Sequence, residues 1–594
     1  MQRTTLRLLL FLIMMVIGGG FVYTQNATPR KGAIRVKLQP EVALKVEASL
    51  KKNTSKKLQT GIKLLDASIT AIKAHNIRKV FPYAPKFEAQ RKKFGIDRWY
   101  EITFDESITT DRALSIFRNT IGVQSAHEIV PMELKGNTNF HKIAPNTKTK
   151  TLTAMPFNDP YLSFQWHYHN DGNLAQSKAG ADINLFEAWK TTAGKDDVTV
   201  AIIDGGIDIN HEDLAANIAV NEAELNGING IDDDENGYID DVYGWNFCSN
   251  SATIYPHEHG THVAGIVSAV NNNGVGLCGV AGGDGTDESG VKMISVQVFD
   301  SRPGSGVADF AAAIVYAAER GATIAQCSWG WAAVDYKEQS VLDAIDYFTE
   351  TARSNNMTGG LCIFAAGNEG ATGNWYPGCY EPVLSVAAMS DDLTPSPYSN
   401  YGEWVDVIAP GGLLEPDEAH GILSTLPGDS YGYSEGTSMA TPHVSGIAAL
   451  VLSKHGTVDF TSNDLRKQIT TSINDFYSYN PSVTGLYGSG YIDAAKALVI
   501  NNNTPSSVNA NSLNTKVEVY PNPVTETLFV TCNFSTKKTT YKLYATNGSK
   551  VYDSTEDTVQ GELKAINVAT LAKGVYILQI TNENGSTTHR IVKR

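Results

Sequence analysis

Five apolar runs in the middle of this chain, residues 198–203, 293–299, 322–327, 361–365 and 383–388, show no clean polar alternation. A strand with one wet face alternates apolar and polar residues, so runs like these belong to strands covered on both faces. The covers lie between them: residues 308–320, 341–354 and 437–453 read as helices. That succession predicts an α/β domain of three layers around a central, mostly parallel sheet. Such sheets bind ligands outside the C-terminal ends of their strands. Asp204 stands at one such end, and Asn368 lies just beyond another.

Two further residues have an equally specific setting. Gly436-Thr-Ser-Met-Ala-Thr-Pro-His-Val-Ser-Gly446 puts Ser438 after a glycine turn, at the start of a helix with Met439, Val444, Ile447, Ala448 and Leu450 facing inward. His259-Gly-Thr-His-Val-Ala-Gly265 reads as the first turn of another helix. A serine at a helix start is by itself an ordinary cap. With an acid and a base on other element ends, the set fits acyl transfer. His259 would take the hydroxyl proton, Asp204 would hold the imidazole in its tautomer, and Ser438 would attack. The Asn368 amide and the Ser438 backbone N–H would face the oxyanion, helped by the positive field of the helix start. Gly436 lets backbone approach the reacting carbonyl. Pro442 is expected in the first turn, where no helical hydrogen bond is lost. His262 and His443 fall inside helical runs and read as packed histidines.

A peptide would be held as an added extended strand, its backbone bonded to a rim and its side chains in pockets. Ser328, Trp329 and Gly330 form one expected rim, and Gly304, Ser305 and Gly306 another. Ala366 and Gly367 are small enough to floor the primary pocket. Between Asp204 and His259 lies the acidic stretch 229–241. Asp232, Asp234, Asn236 and Asp240 have the one-three-five-nine spacing of a calcium loop, with Gly237 at the turn. Tyr243 stands where an EF-hand needs glutamate, so Asp241 would complete a different geometry. A structural calcium ion is expected there, tying down a long insertion.

Residues 158 to about 500 resemble the subtilisin family of serine peptidases, the subtilases. The resemblance rests on Asp204 in Asp-Gly-Gly-Ile-Asp208, His259 in His-Gly-Thr-His-Val-Ala-Gly, Asn368 in Ala-Ala-Gly-Asn, and Ser438 in Gly-Thr-Ser-Met-Ala-Thr-Pro-His-Val. It implies a subtilisin-like three-layer domain and a serine endopeptidase that cleaves polypeptides through an acyl-enzyme, with no cofactor for catalysis. Gly205 departs from the family, which usually has threonine or serine there; a hydroxyl beside Asp204 is lost. Residues 26–157 are rich in lysine and arginine, for example Lys86 and Arg91, and show a strand at 99–104, a helix at 113–121 and a strand near 126–130. This small α/β unit resembles a subtilase propeptide. Asn158-Asp-Pro-Tyr161 resembles a mature start, which implies cleavage near 150–160.

Both ends of the chain speak of export. Arg3 and Arg7 precede the apolar run 8–17 and three glycines, the layout of a signal peptide over residues 1–25. After an Asn- and Ser-rich linker at 501–515, residues 516–594 carry short β-like runs and turn signals, predicting a β-sandwich. Val519-Tyr-Pro-Asn-Pro-Val524 and Leu571-Ala-Lys-Gly-Val-Tyr-Ile-Leu-Gln-Ile580 resemble the type A sorting domain of the type IX secretion system. That resemblance implies a Bacteroidetes-like host, secretion through the periplasm to the outside or outer surface, and the secretion machinery as a partner. A net charge of −15 argues against nucleic acid. The six cysteines permit three bridges, while Cys327 and Cys362, inside strand-like runs, equally suit buried thiols. Two other readings stand beside the endopeptidase: a surface adhesion protein on an inactive scaffold, and a hydrolase of narrow processing specificity.

Overall fold

The computed structural model describes residues 29–52, 58–134, 140–143, 155–303 and 305–500, then 517–520, 524–532, 535–545, 549–559, 562–582 and 585–593. The expected signal peptide, the linker and Gly304 lie outside the described residues. The chain divides into two compact bodies between Val499 and Ile500, and the first contains both a large sheet and, ahead of it, a smaller N-terminal unit with its own core.

All five apolar runs become neighbouring strands of one sheet. Its order is Ile473–Asn474, Tyr491–Ile492, Val407–Pro410, Leu384–Met389, Leu361–Ala365, Ile324–Cys327, Thr199–Gly205, Lys292–Phe299 and Gly244–Asn246. The first pair is antiparallel and every later pair parallel. Successive side chains divide between two cores. Val200, Ile202, Ile324, Ile363 and Val386 share one with the helices Glu258–Ser268 and Thr437–His455. Ala201, Ile203, Ala325, Cys362 and Phe364 share the other with Phe310–Glu319 and Gln339–Thr351. Both faces are therefore dry, which is why polar alternation is missing from the strands. The Thr437–His455 helix is buried on all sides through Ser453, so it is a central helix.

The N-terminal unit has an antiparallel sheet in the order Ala74–Lys79, Trp99–Phe104, Ala33–Leu38, Val123–His127, covered by its own helices. Thr109 caps the Thr110–Arg118 helix by accepting from the Arg112 N–H, which starts that helix earlier than its apolar pattern suggests. The Ala33–Leu38 strand shows how the sheet is used. Ile34, Val36 and Leu38 enter the unit's own core, while Arg35 and Lys37 face the Phe310–Glu319 and Gln339–Thr351 helices of the large sheet. Arg35 reaches Asp309 at 2.9 Å and Glu338 at 3.0 Å, and Lys37 reaches Asp343 at 2.6 Å. Arg91, from the helix Glu88–Phe94, makes a two-point pair with Glu319 at 2.8 and 2.5 Å. Trp99–Phe104 reads as half-buried in sequence, yet both of its faces are covered. Tyr100, Ile102 and Phe104 pack inward, and the Trp99 indole donates to Asp343 at 2.9 Å.

In the C-terminal unit, Val517–Tyr520, Thr527–Cys532 and Leu563–Asn567 form one sheet. Lys550–Thr558, Thr536–Ala545, Gly574–Asn582 and Gly585–Lys593 form a second. Leu528, Val530, Leu543, Ile566, Leu578 and Ile580 fill a common core, so the unit is a small antiparallel sandwich. All six cysteines are free thiols. No helix among the described residues is long and apolar enough to cross a membrane.

Candidate catalytic site

Asp204 is the last residue but one of the Thr199–Gly205 strand, and His259 is the second residue of the Glu258–Ser268 helix. Contact between these element ends depends on glycine. A Cβ on Gly260 would lie 2.0 Å from the Gly205 carbonyl oxygen, so helix and strand meet backbone to backbone. The approach lets Asp204 Oδ1 accept from His259 Nδ1 at 2.7 Å, with both groups buried. The Gly205 N–H donates to the same oxygen at 2.6 Å and fixes the carboxylate. His259 Nε2 is thereby the nitrogen left to meet a hydroxyl, and among the described residues it has no hydrogen-bond partner.

Ser438 is the second residue of the Thr437–His455 helix, entered through Gly436 at φ 145°, a backbone region that side chains disfavour. The helix packs against the histidine helix. Pro442 sits in the second turn, not the first as expected. Without an N–H it cannot serve the Ser438 carbonyl four residues back. The Ser328 hydroxyl serves it instead, donating at 2.9 Å, and Ser438 Oγ in turn donates to the Ser328 carbonyl at 3.1 Å. Gln326 Nε2 donates to Ser328 Oγ at 2.7 Å, and Ser445 Oγ to Gln326 Oε1 at 2.5 Å. A buried polar chain thus clamps Ser328 to the serine helix. In this arrangement the Ser438 hydroxyl donates to the Ser328 carbonyl.

Asn368 follows the Leu361–Ala365 strand. Its Oδ1 accepts from the Thr437 backbone N–H and hydroxyl, both at 2.9 Å. Because a backbone N–H can only donate, the amide orientation is set, and the Nδ2 donor points away from Thr437. His262 and His443 are unsuited to act as the base. Burial pushes both imidazoles down to about 3. Carbonyls hold them: His262 Nε2 donates to Ile422 and Gly432, and His443 Nδ1 to Met439.

Family comparisons agree with this architecture. A model of the subtilase family matches residues 195–490, and one of its N-terminal part matches residues 34–172. The chain is 30% identical over 343 residues to thermitase of Thermoactinomyces vulgaris, covering 57% of this chain and 98% of thermitase. The chain belongs to the subtilase family. It is also 35% identical over 268 residues to a thermophilic serine proteinase of Bacillus sp. strain AK1, covering 45% of this chain and 55% of that one. The chain spans about half the length of the first curated relatives it matches. The solved structure of fervidolysin from Fervidobacterium pennivorans shares the fold at 19% identity, with a TM-score of 0.55 over 96% of this chain and 77% of that one. Residues 518–594 match a secretion system C-terminal sorting domain.

In this subtilase the expected rim already carries a strand. Trp329–Trp331 pairs antiparallel with Met132–Leu134 of the N-terminal unit, Gly330 opposite Glu133. Further along, His141 and Lys142 pair with Tyr433 and Gly432, on the strand leading to Gly436. Trp329 itself is no pocket wall: its side chain is buried and donates to the Ile203 carbonyl at 2.8 Å. Its backbone is what pairs with Met132–Leu134. The Ala366 N–H is spent on Val386 and the Gly367 N–H on Thr437 Oγ1. Ser305 Oγ closes its own turn onto Asp300 and Arg302, and the Gly306 N–H donates to Cys248, so these hydrogen bonds do not reach the rim.

The acidic insertion is arranged differently from its spacing. Glu224, Asp234 and Asp241 bring one carboxylate oxygen each within 4.8 Å of one another. Glu224 comes from the preceding turn of helix, Glu222–Leu225, beyond the reach of a spacing rule. Asp232 accepts from the N–H groups of Asn236 and Gly237, Asn236 Oδ1 from Tyr238, and Asp240 from Gly230, so these three hold the loop's backbone. Asp241 also takes 2.6 Å bonds from Tyr316 and Arg320. Burial raises Glu224, Asp232 and Asp241 above the usual carboxylate range. The all-oxygen set of Glu224, Asp234 and Asp241 suits a hard cation.

Proposed function

We propose that this subtilase is an exported serine endopeptidase made as a zymogen. The observation that carries the reading is the buried 2.7 Å contact of Asp204 with His259 at the strand edge that also presents Asn368. Ser438 is the nucleophile, and His259 Nε2 takes its proton as Oγ bonds to the substrate carbonyl carbon. Asp204 stabilises the imidazolium, and the Asn368 amide with the Ser438 N–H meets the oxyanion. The imidazolium then protonates the leaving amine, and water repeats the sequence on the acyl-enzyme. Substrate lies along Trp329–Trp331 as Met132–Leu134 does.

The N-terminal unit is, on this reading, an inhibitory propeptide whose own chain occupies the cleft. Its segments 132–134 and 141–142 pair with the strands Trp329–Trp331 and Ser430–Ser434, next to Ser328 and close ahead of Ser438 in the chain, which supports that reading, and the first cut is expected near 150–160. The sorting domain directs export by the type IX machinery to the outside or outer surface of the cell. Glu224, Asp234 and Asp241 hold a structural calcium ion, which lends no step to catalysis. Chelation should lower the melting temperature, and Glu224→Gln should lower it to the same extent with added calcium having less effect.

The deciding experiment is fluorophosphonate labelling of secreted, matured protein, read by mass spectrometry, with Ser438→Ala and the uncleaved zymogen as controls. An adduct on Ser438 only after loss of the N-terminal unit supports both nucleophile and propeptide. No adduct on folded, matured protein overturns the reading in favour of an inactive scaffold. Labelling without casein cleavage would restrict it to narrow processing specificity.

A further inference from the structure

We propose that His257 is a positioning residue for the Asp204–His259 pair, occupying the space a side chain at Gly205 would otherwise fill. The inference rests on the peptidase reading and adds a residue to it. A Cβ on Gly205 would stand 2.4 Å from His257 Cγ and 2.6 Å from its Nδ1, closer than packed atoms come. The His257 N–H donates to the Gly206 carbonyl at 2.8 Å, holding this segment against the end of the acid strand. The departure at Gly205 is thus no simple loss of a hydroxyl. The imidazole of a residue far along the chain has moved in.

From there the ring acts on the base through the backbone. His257 is the N-cap of the histidine helix, and its Nδ1 accepts from the His259 N–H at 3.2 Å. Serine, threonine, aspartate or asparagine usually takes that position. A ring nitrogen that accepts carries no proton, so the cap requires a neutral His257 with its proton on Nε2. Asp204 faces the ring from the acid strand, His259 and Glu258 from its own helix, and Asp300 from the loop after Lys292–Phe299. Asp300 is engaged by Arg302 at 2.5 Å. Burial outweighs the carboxylates and lowers the ring's proton affinity, which keeps the cap intact at neutral pH. In acid, a protonated Nδ1 would oppose the His259 N–H and place a cation beside the base. His257 therefore shapes the acid limb of the rate profile without touching substrate.

The test is a swap cycle in the full chain: Gly205→Ser, His257→Asn, His257→Ala and the double variant Gly205→Ser/His257→Ala. Gly205→Ser alone should lower kcat about ten- to a hundredfold with KM nearly unchanged, the penalty of a displaced catalytic group. The double variant should regain most of that loss, because the added side chain then has room. His257→Asn keeps a capping oxygen and removes the titration, so kcat should largely survive while the acid limb of kcat/KM becomes less steep. Melting temperatures of the same four variants in a Ser438→Ala background read the packing without activity. Full kcat for Gly205→Ser, an unrelieved double variant, or an unaltered acid limb in His257→Asn each overturn the proposal. If the parent fails to label at Ser438, the peptidase reading falls. The melts then decide the packing: non-additive shifts uphold the contact, and additive shifts overturn it.

Discussion

Replacing Ser328 with alanine should destabilise the protease domain through a proline more than a hundred residues away. Pro442 leaves the Ser438 carbonyl without its helical donor, and the Ser328 hydroxyl fills the gap at 2.9 Å while accepting from Gln326 at 2.7 Å. Ser328→Ala strands both groups in a dry interior. Each buried polar group left unpaired costs about 1–3 kcal/mol, so the pair costs about 2–6 kcal/mol. Pro442→Ala supplies an N–H four residues after Ser438 and should restore one of the two. The double variant Ser328→Ala/Pro442→Ala should therefore be more stable than additivity allows by about 1–3 kcal/mol. Guanidinium unfolding in a Ser438→Ala background, which prevents self-digestion, would measure the cycle. A coupling below about 0.5 kcal/mol would refute the argument, because independent sites already scatter by that much.

Three other outcomes follow from the same geometry. Asn368→Leu should lower kcat about 10²–10³-fold in steady-state peptide hydrolysis with KM little changed, since on the proposed mechanism its amide meets a charge present only in the transition state. Acid should unfold the protease domain through its buried histidines. His262 and His443 titrate near 3 in the folded chain against an ordinary 6.5, so the unfolded chain takes up protons first as pH falls. The stability they contribute is whole above about 6.5 and drains toward 3, at up to about 1.4 kcal/mol per pH unit for each. His443→Asn should make the fall of guanidinium midpoints with acid less steep by about one proton. Arg91→Met should loosen the N-terminal unit, because breaking a buried pair costs about 3–5 kcal/mol. Gel time courses would then show faster maturation than in the parent.

What could be read from sequence divides along a physical line. The sheet was legible because strand residues with both faces dry cannot be polar, and the helices because their spans lie between those strands. Asp204, His259, Asn368 and Ser438 were legible because each sits at an element end whose local pattern is strong. What stayed hidden depends on contacts between distant backbones. Pro442 falls in the second turn although the helix begins at 437 as expected, because it is the sixth helical residue and a turn takes only about 3.6. Ser328 read as a rim residue, although its hydroxyl is a structural clamp. Trp329 reads as a rim residue, and its indole is buried against the Ile203 carbonyl. Glu224 lies outside the acidic run and joins Asp234 and Asp241 only when the insertion folds back. His257 offered no signal at all, because a half-buried histidine before a helix is legible only beside the glycine it crowds.

The junction with the N-terminal unit shows why an interface meant to open would be built from charges. Arg35, Lys37 and Arg91 are buried against Asp309, Glu338, Asp343 and Glu319, where leucine or methionine could have packed more tightly. Buried pairs are weak sources of stability, since the attraction mostly offsets lost hydration. On the propeptide reading, that weakness suits a partner that leaves. Once the covalent link is cut, each side regains water around its charges, and the protease helices are left with an acidic surface. An apolar junction of the same size would leave an exposed hydrophobic patch on the mature enzyme, with the self-association that such patches invite. Replacing Arg35 and Glu338 together by methionine should therefore hold the zymogen closed for longer, and the mature domain should become prone to aggregate. Maturation that is unchanged and a mature domain that stays monomeric in light scattering would show that the charges serve some other end.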